Sequence, residues 1–142
     1  MDELDQQILA ILQRDARTPY TEIADQIGAS EGTVRNRVDQ LLADGVIERF
    51  TVATRTGNVR AMIEVGVDVN VDTDGLTGRL VGWEPVNFVW QVSGDADIVL
   101  VVDVVDTAAL NTLITRLRDR TEVVSTETRL ILAEWLEPAE RA

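Results

Sequence analysis

Leu4, Ile8, Ile11 and Leu12 recur at the spacing that lines apolar side chains along one face of a helix. That helix ends before Thr18-Pro19, because a residue preceding proline is steered away from helical backbone. Ile23, Ala24 and Ile27 mark a second, short helix, capped by Thr21 and with Glu22 in its first turn. Gly28 stands where a left-handed cap is needed. Ser30 then caps a third helix with Val34, Val38, Leu41 and Leu42 inward, and Asp44-Gly45 stops it. Val46 to Val52 reads as an extended stretch, a short hairpin that would form a wing.

Beyond residue 60 the period changes from helical to two. Ile63, Val65, Val67, Val69 and Val71 alternate with polar residues and glycine. Asp74 caps a helix with Leu76, Leu80 and Val81 inward, and Val86, Phe88, Trp90 and Val92 alternate in a second strand. After the turn Ser93-Gly94-Asp95-Ala96-Asp97, the stretch from Ile98 to Val104 is apolar on both faces, as a central strand is. Asp106-Thr107 caps a helix carrying Leu110, Leu113, Ile114 and Leu117, and Val124, Thr126, Thr128, Leu130 and Leu132 form the last strand. The order is βαββαβ, the ferredoxin-like plan. The chain is therefore α+β: a winged helix-turn-helix over 1–53, a linker over 54–60 and a ferredoxin-like domain over 61–142. Both helices must cover one face of the sheet. The valine-rich opposite face predicts a twofold homodimer, since soluble monomers rarely expose a large apolar patch.

Composition narrows the chemistry. Cysteine and histidine are absent, which excludes disulfides, thiol nucleophiles, histidine bases and the usual zinc sites. No nucleophile motif or phosphate loop is found, so the chain reads as a non-enzyme without a cofactor or metal. No run of 18 apolar residues occurs and the start, Met1-Asp2-Glu3-Leu4-Asp5, lacks the basic residues of a signal peptide, so a cytoplasmic protein is expected. Net charge is −12, and all 13 basic residues are arginine. Such acidity suits a salt-rich cytoplasm, where carboxylates retain water while charge is screened over a few ångströms.

Against that acidity, residues 31–60 carry a net charge of +1. Two helices joined through Gly28-Ala29-Ser30 have the spacing of a helix-turn-helix. On the third helix, Gly32, Thr33, Asn36 and Gln40 project opposite the apolar face, flanked by Arg35 and Arg37. Short polar side chains at the start of such a helix suit base edges in the major groove of double-stranded DNA. Asn36 matches adenine, the Thr33 methyl matches thymine, and Arg35 and Arg37 match phosphate or guanine. Gly32 allows close approach, Thr21 and Ser30 lie at the helix starts, and Arg49 on the wing faces the flanking backbone. A small-molecule sensor whose helical part has lost DNA binding stays open as an alternative.

These segments together resemble the Lrp/AsnC, or feast/famine, family of transcription regulators. The resemblance rests on Leu4-Asp5-Gln6-Gln7-Ile8-Leu9, on Thr21 to Ser30, on Thr33 to Val38, on Leu41 to Ile47 and on Ser93 to Asp97, and it spans nearly the whole chain. It implies a ligand-sensing regulator of genes of amino-acid or nitrogen metabolism, whose effector is a small molecule such as an amino acid. It also implies dimers that assemble further into an octamer. The implied effector pocket lies between dimers and is lined by Gly94, Asp95, Ala96 and Asp97, with Val123, Val124, Ser125 and Thr126 opposite. There the N–H groups of the turn would hold a carboxylate, and Asp95 or Asp97 an ammonium. Ala96 stands where family members often carry an aromatic residue. With the charge pattern, the resemblance suggests a halophilic archaeon as the source.

Overall fold

Asp2 opens the first helix, α1 (Glu3–Arg14). Its carboxylate accepts the Asp5 N–H at 3.0 Å, and the Asp5 carboxylate accepts the Asp2 N–H at 2.9 Å. Two donors that a helix start leaves without partners are thus satisfied reciprocally. The computed structural model describes residues 1–53 and 58–135; the first four residues of the expected linker and the chain beyond 135 lie outside them. The described residues divide into two compact units, 1–53 together with Trp135, and 58–134.

In the first unit, α2 (Tyr20–Ile27) starts directly after Pro19, whose backbone (φ −60°, ψ 144°) serves as the N-cap with no side-chain hydrogen bond. Thr21 is therefore the second residue of the helix and not its cap. Proline's preset φ lets the helix begin one residue after it, two earlier than a threonine cap requires. Gly28 ends α2 in the left-handed region, at φ 68°. Ser30 accepts the Thr33 N–H at 3.1 Å and opens α3 (Glu31–Ala43), as expected. Ile8, Leu12, Ile23, Ala24, Val34 and Val38 form the core, with Ile47 packed against it.

The expected wing is not formed among the described residues. Residues 46–53 join no strand ladder among the described residues, and Val46, Phe50 and Val52 are exposed. A lone extended segment satisfies its backbone groups in a ribbon only when a partner strand lies alongside, and the described residues supply none.

The second unit runs β1 (Val59–Val67), α4 (Thr73–Val81), β2 (Val86–Gln91), β3 (Ile98–Val104), α5 (Thr107–Arg118) and β4 (Val123–Leu130). The strands form one antiparallel sheet in the order β2-β3-β1-β4, the ferredoxin-like arrangement with β3 and β1 central. Ala61, Ile63 and Val65 pair with Val102, Leu100 and Ile98 on the face that the helices cover, where they meet Leu76, Leu80, Leu110, Leu113 and Leu117. The Arg116 guanidinium lies 3.7 Å above the Trp83 ring, joining α5 to the segment after α4.

Several local expectations are corrected. β1 stops at Val67 because Asp68 turns the chain: its carboxylate accepts the Asn70 N–H and its carbonyl accepts the Val71 N–H, which leaves Val69 exposed. The cap of α4 is Asp72, which accepts the Gly75 N–H, and Val81 faces outward. The pairing of β2 shifts between Val86 and Phe88, so Val86 faces the core while Phe88 and Trp90 emerge on the opposite face. A second shift at Gly66/Val67 turns Val124 outward, and Leu132 lies beyond β4 and is exposed.

The uncovered face is consequently two-sided. Phe88, Trp90, Val99 and Val101 occupy its β2–β3 half, with Met62 of β1 beside Val101. The β1–β4 half is charged: Arg129 bridges Glu64 at 2.6 Å and Glu127 at 2.8 Å, and Arg60 bridges Glu134 at 2.6 Å. The apolar patch inferred from the valine count is real, but about half the face is ion-paired.

Candidate functional site

Sequence-local rules build the reading helix. Gly28 turns the chain out of α2, Ser30 caps α3, and Val34, Val38 and Leu41 bury its inner face. The opposite face is left to solvent, with Gly32, Asn36 and Gln40 exposed and Thr33 half-buried. Nothing within 4.0 Å of Gly32 but the Ser30 hydroxyl would meet an added side chain, so the backbone there can approach a flat partner. Asn36 makes no side-chain hydrogen bond among the described residues. The Thr33 and Ser30 hydroxyls share a 2.8 Å hydrogen bond, and Gln40 donates to Asp44 at 2.8 Å.

The two arginines of α3 are both engaged. Arg35 pairs with Glu31 one turn earlier at 2.7 Å and lies 5.3 Å from the Tyr20 ring centroid. Arg37 reaches the other way, to Asp2 at 2.7 Å and Asp5 at 3.3 Å. The Asp5 backbone N–H, and next the Arg37 guanidinium, hold the Asp2 carboxyl below the usual aspartate range. The hydrogen bond to Asp2 raises Arg37 in turn. Neither arginine therefore projects as a free cation. Arg49 and Thr21 are exposed, Arg49 outside any strand. Sequence reasoning missed Tyr20 and the two aspartates. Tyr20 sits at the start of α2, where an aromatic residue reads as core, and the aspartates are over 30 residues from their partner.

In the second unit, the two segments expected to hold an effector lie on opposite sides of β1. Each flanks the C-terminal end of β1. On one side, the Asp97 N–H donates to the Val65 carbonyl at 3.0 Å and the Asp97 carboxylate accepts the Val67 N–H at 2.9 Å. On the other, Gly66 pairs with Ser125 and Val67 with Val123. Gly94 makes the turn at φ 109°. Asp95 is exposed, Ala96 is half-buried, and Val123 and Thr126 are half-buried beside the exposed Val124 and Ser125. Asp97 is engaged with the backbone of β1 through one carboxylate oxygen, while Asp95 makes no side-chain hydrogen bond among the described residues. The described residues contain no cluster of metal-ligating side chains and no helix long and apolar enough to cross a membrane.

Residues 1–42 match the AsnC-type helix-turn-helix domain and residues 60–140 match the Lrp/AsnC ligand binding domain. The chain is similar to the HTH-type transcriptional regulator LysM of Sulfurisphaera tokodaii, 36% identical over 95% of this chain and 97% of that protein. Among solved structures it is similar to the leucine response regulatory protein LrpA of Mycobacterium tuberculosis, at 26% identity with a TM-score of 0.84, covering 96% of this chain and 95% of that one. It is also similar to AsnC of E. coli, at 26% identity with a TM-score of 0.79, covering 97% and 96%. The chain belongs to the Lrp/AsnC family: it is a transcriptional regulator, not an enzyme, with a helix-turn-helix DNA-binding domain and an Lrp/AsnC ligand-binding domain.

Proposed function

We propose that this regulator senses a free amino acid and couples its binding to DNA occupancy at genes of amino-acid or nitrogen metabolism. The placement of the Gly94–Asp97 turn and the start of β4 on either side of the end of β1 supports this reading. It sets one available carboxylate, Asp95, near the N–H groups of a glycine turn, a pairing that suits an ammonium and a carboxylate on one small molecule. Val123, Val124, Ser125 and Thr126 would form the opposite wall. A relative of known structure is named a leucine response regulatory protein, which supports an amino acid as the class of effector.

For DNA, the proposed reading surface is Gly32, Thr33, Arg35, Asn36 and Gln40 on α3, with Thr21, Ser30 and Arg49 beside it. The Arg35–Glu31 pair is exposed, so a phosphate or a guanine can displace it cheaply. The functional domains are proposed as 1–53 and 61–142 around the linker 54–60. The uncovered sheet face supports a homodimer, and the family resemblance an octamer built from four of them. The net charge of −12 supports work in the salt-rich cytoplasm of a halophilic archaeon.

The test is selection of bound DNA from a random pool at high potassium chloride, with and without each of the twenty amino acids. A selected sequence whose retention changes at least several-fold with one amino acid is the expected result. Retention indifferent to all twenty would overturn the amino-acid assignment while leaving DNA binding intact.

A further inference from the structure

The polar tie between α3 and α1 runs through one side chain. Arg37 donates to Asp2 Oδ2 at 2.7 Å and to the two Asp5 oxygens at 3.3 and 3.4 Å. The other Asp2 oxygen is taken by the Asp5 N–H, and Asp5 Oδ2 also accepts the Asp2 N–H. Asp5 is only 6% exposed, the one buried charged residue among the described residues. A buried carboxylate needs a counter-charge, and Arg37 supplies it.

We propose that Arg37 is a positioning residue and not a DNA contact: it ties α3 to the start of α1 through Asp2 and Asp5, and so fixes the angle at which Gly32, Thr33 and Asn36 meet the duplex. Two observations favour this over a phosphate contact. The cluster of Arg37, Asp2 and Asp5 carries a net charge of −1, so it repels a phosphate rather than attracting one. The remaining contact between α1 and α3 is apolar, Ile8 and Leu12 against Val34 and Val38, and apolar packing is non-directional. A directional, charge-assisted hydrogen bond is what sets the rotation of one helix on another. Arg35 differs, since its carboxylate partner lies on α3 itself and its guanidinium faces the Tyr20 ring of α2, not α1.

The inference rests on the reading of α3 as the DNA-contacting helix, and the experiment separates the two. The full-length protein is tested on the fragment it selects from a random pool and on an unrelated fragment. Measurements span potassium chloride concentrations at which circular dichroism shows each variant fully folded. Asp2→Asn is the decisive variant, because asparagine still caps α1 while the Arg37–Asp2 pair is lost and only the longer one to Asp5 remains. It makes the protein less acidic, so a phosphate-contacting Arg37 predicts tighter binding to both fragments, whereas the positioning role predicts selected-site binding weakened about 5-fold relative to unrelated DNA. Arg37→Gln is expected to weaken selected-site binding about 10-fold with the salt dependence unaltered. A lost phosphate contact would instead lower the log–log salt slope by about 0.9 per head. Equally tighter binding to both fragments by Asp2→Asn, or a reduced slope for Arg37→Gln, overturns the proposal. A Thr33→Ala/Asn36→Ala protein with full affinity for its site would overturn the reading of α3, whichever way the Arg37 variants behave.

Discussion

Gly66 lies so close against Ser125 that a β-carbon on the glycine would run into the serine hydroxyl. The pair sits where the β1–β4 register shifts, beside the segment proposed to bind the effector. The obstructing atom is the end of a rotatable side chain, and the next nearest atoms, Ser125 Cβ and Val124 Cγ2, stand at an ordinary 3.6 Å. Gly66→Ala is therefore expected to fold, with Ser125 turned to another rotamer at a cost of about 1 kcal/mol. Gly66→Val adds two methyls that have no such escape and is expected to cost about 2–3 kcal/mol. Adding Ser125→Gly to Gly66→Ala removes the obstructing hydroxyl and should recover the lost stability, measured by thermal melts. No recovery would mean that the close approach to Ser125 is not the source of the cost.

Features governed by neighbours in sequence were legible. Gly28 and Ser30 act on backbone groups within five residues, and both are found in the expected roles. Where two local rules competed, alternation or capping alone misled. Asp68 and Asn70 turn the chain although Val69 and Val71 continue the strand's period, and Pro19 starts α2 ahead of Thr21. Contacts between distant segments left no local signal. Asp2 and Arg37 are 35 residues apart, and the shift in β2 that turns Phe88 and Trp90 outward depends on the register of β3. That the Asp97 turn and the start of β4 both flank the end of β1 followed from the βαββαβ order, but the commitment of Asp97 to Val67 did not.

Those roles divide the two carboxylates of the turn. Asp97→Ala removes the acceptor of the Val67 N–H and should destabilise the protein by about 1 kcal/mol, whereas Asp97→Asn, which keeps an acceptor, should cost less. Asp95→Ala is exposed and should leave stability within about 0.5 kcal/mol of the parent while abolishing effector binding. Thermal melts and calorimetry read the two effects separately. Full effector binding by Asp95→Ala would remove that residue from the site.

Asn36 is exposed and carries no internal hydrogen bond among the described residues, so its replacement should not disturb folding. If it reads a base bidentately, Asn36→Ala lowers affinity for the selected site by about 1–3 kcal/mol and leaves unrelated DNA unaffected. Because Arg35 and Arg37 are already paired with carboxylates, the parent's own salt dependence should be shallow. Titration of a fluorescent duplex at several potassium chloride concentrations checks both statements. Equal losses on selected and unrelated DNA would recast Asn36 as a backbone contact.

The pH profile follows from carboxylates alone. The folded state holds Asp2 low through the Asp5 N–H, and Glu122 low chiefly through Arg120. A carboxyl depressed on folding contributes its full stability above its unfolded pKa, about 3.9 for Asp and 4.3 for Glu. That contribution is lost as pH falls through the lower folded value. With no histidine or cysteine in the chain, stability should be flat from about pH 6 to 8 and fall on acidification below about pH 5. Asp2→Asn should soften the acid limb without moving the plateau, as followed by urea unfolding at fixed salt. A change in slope between pH 6 and 8 would contradict the assignment.

On the uncovered sheet face, Phe88 and Trp90 stack with ring centroids 5.4 Å apart and planes within 2°. Both are roughly half exposed beside Val99 and Val101. Next to this apolar half, the Arg129–Glu64 and Arg129–Glu127 pairs satisfy the charges of β1 and β4 within one chain. A second copy can therefore cover the aromatic half without leaving the charges of the other half unpaired. Trp90→Glu places an unpartnered carboxylate at the centre of that contact and should yield a folded monomer by analytical ultracentrifugation. The same variant should bind a two-half-site DNA at least 10-fold more weakly, because the second head no longer arrives at high effective concentration, while single-site binding is unchanged. A Trp90→Glu protein that remains dimeric would place the contact between copies on another surface.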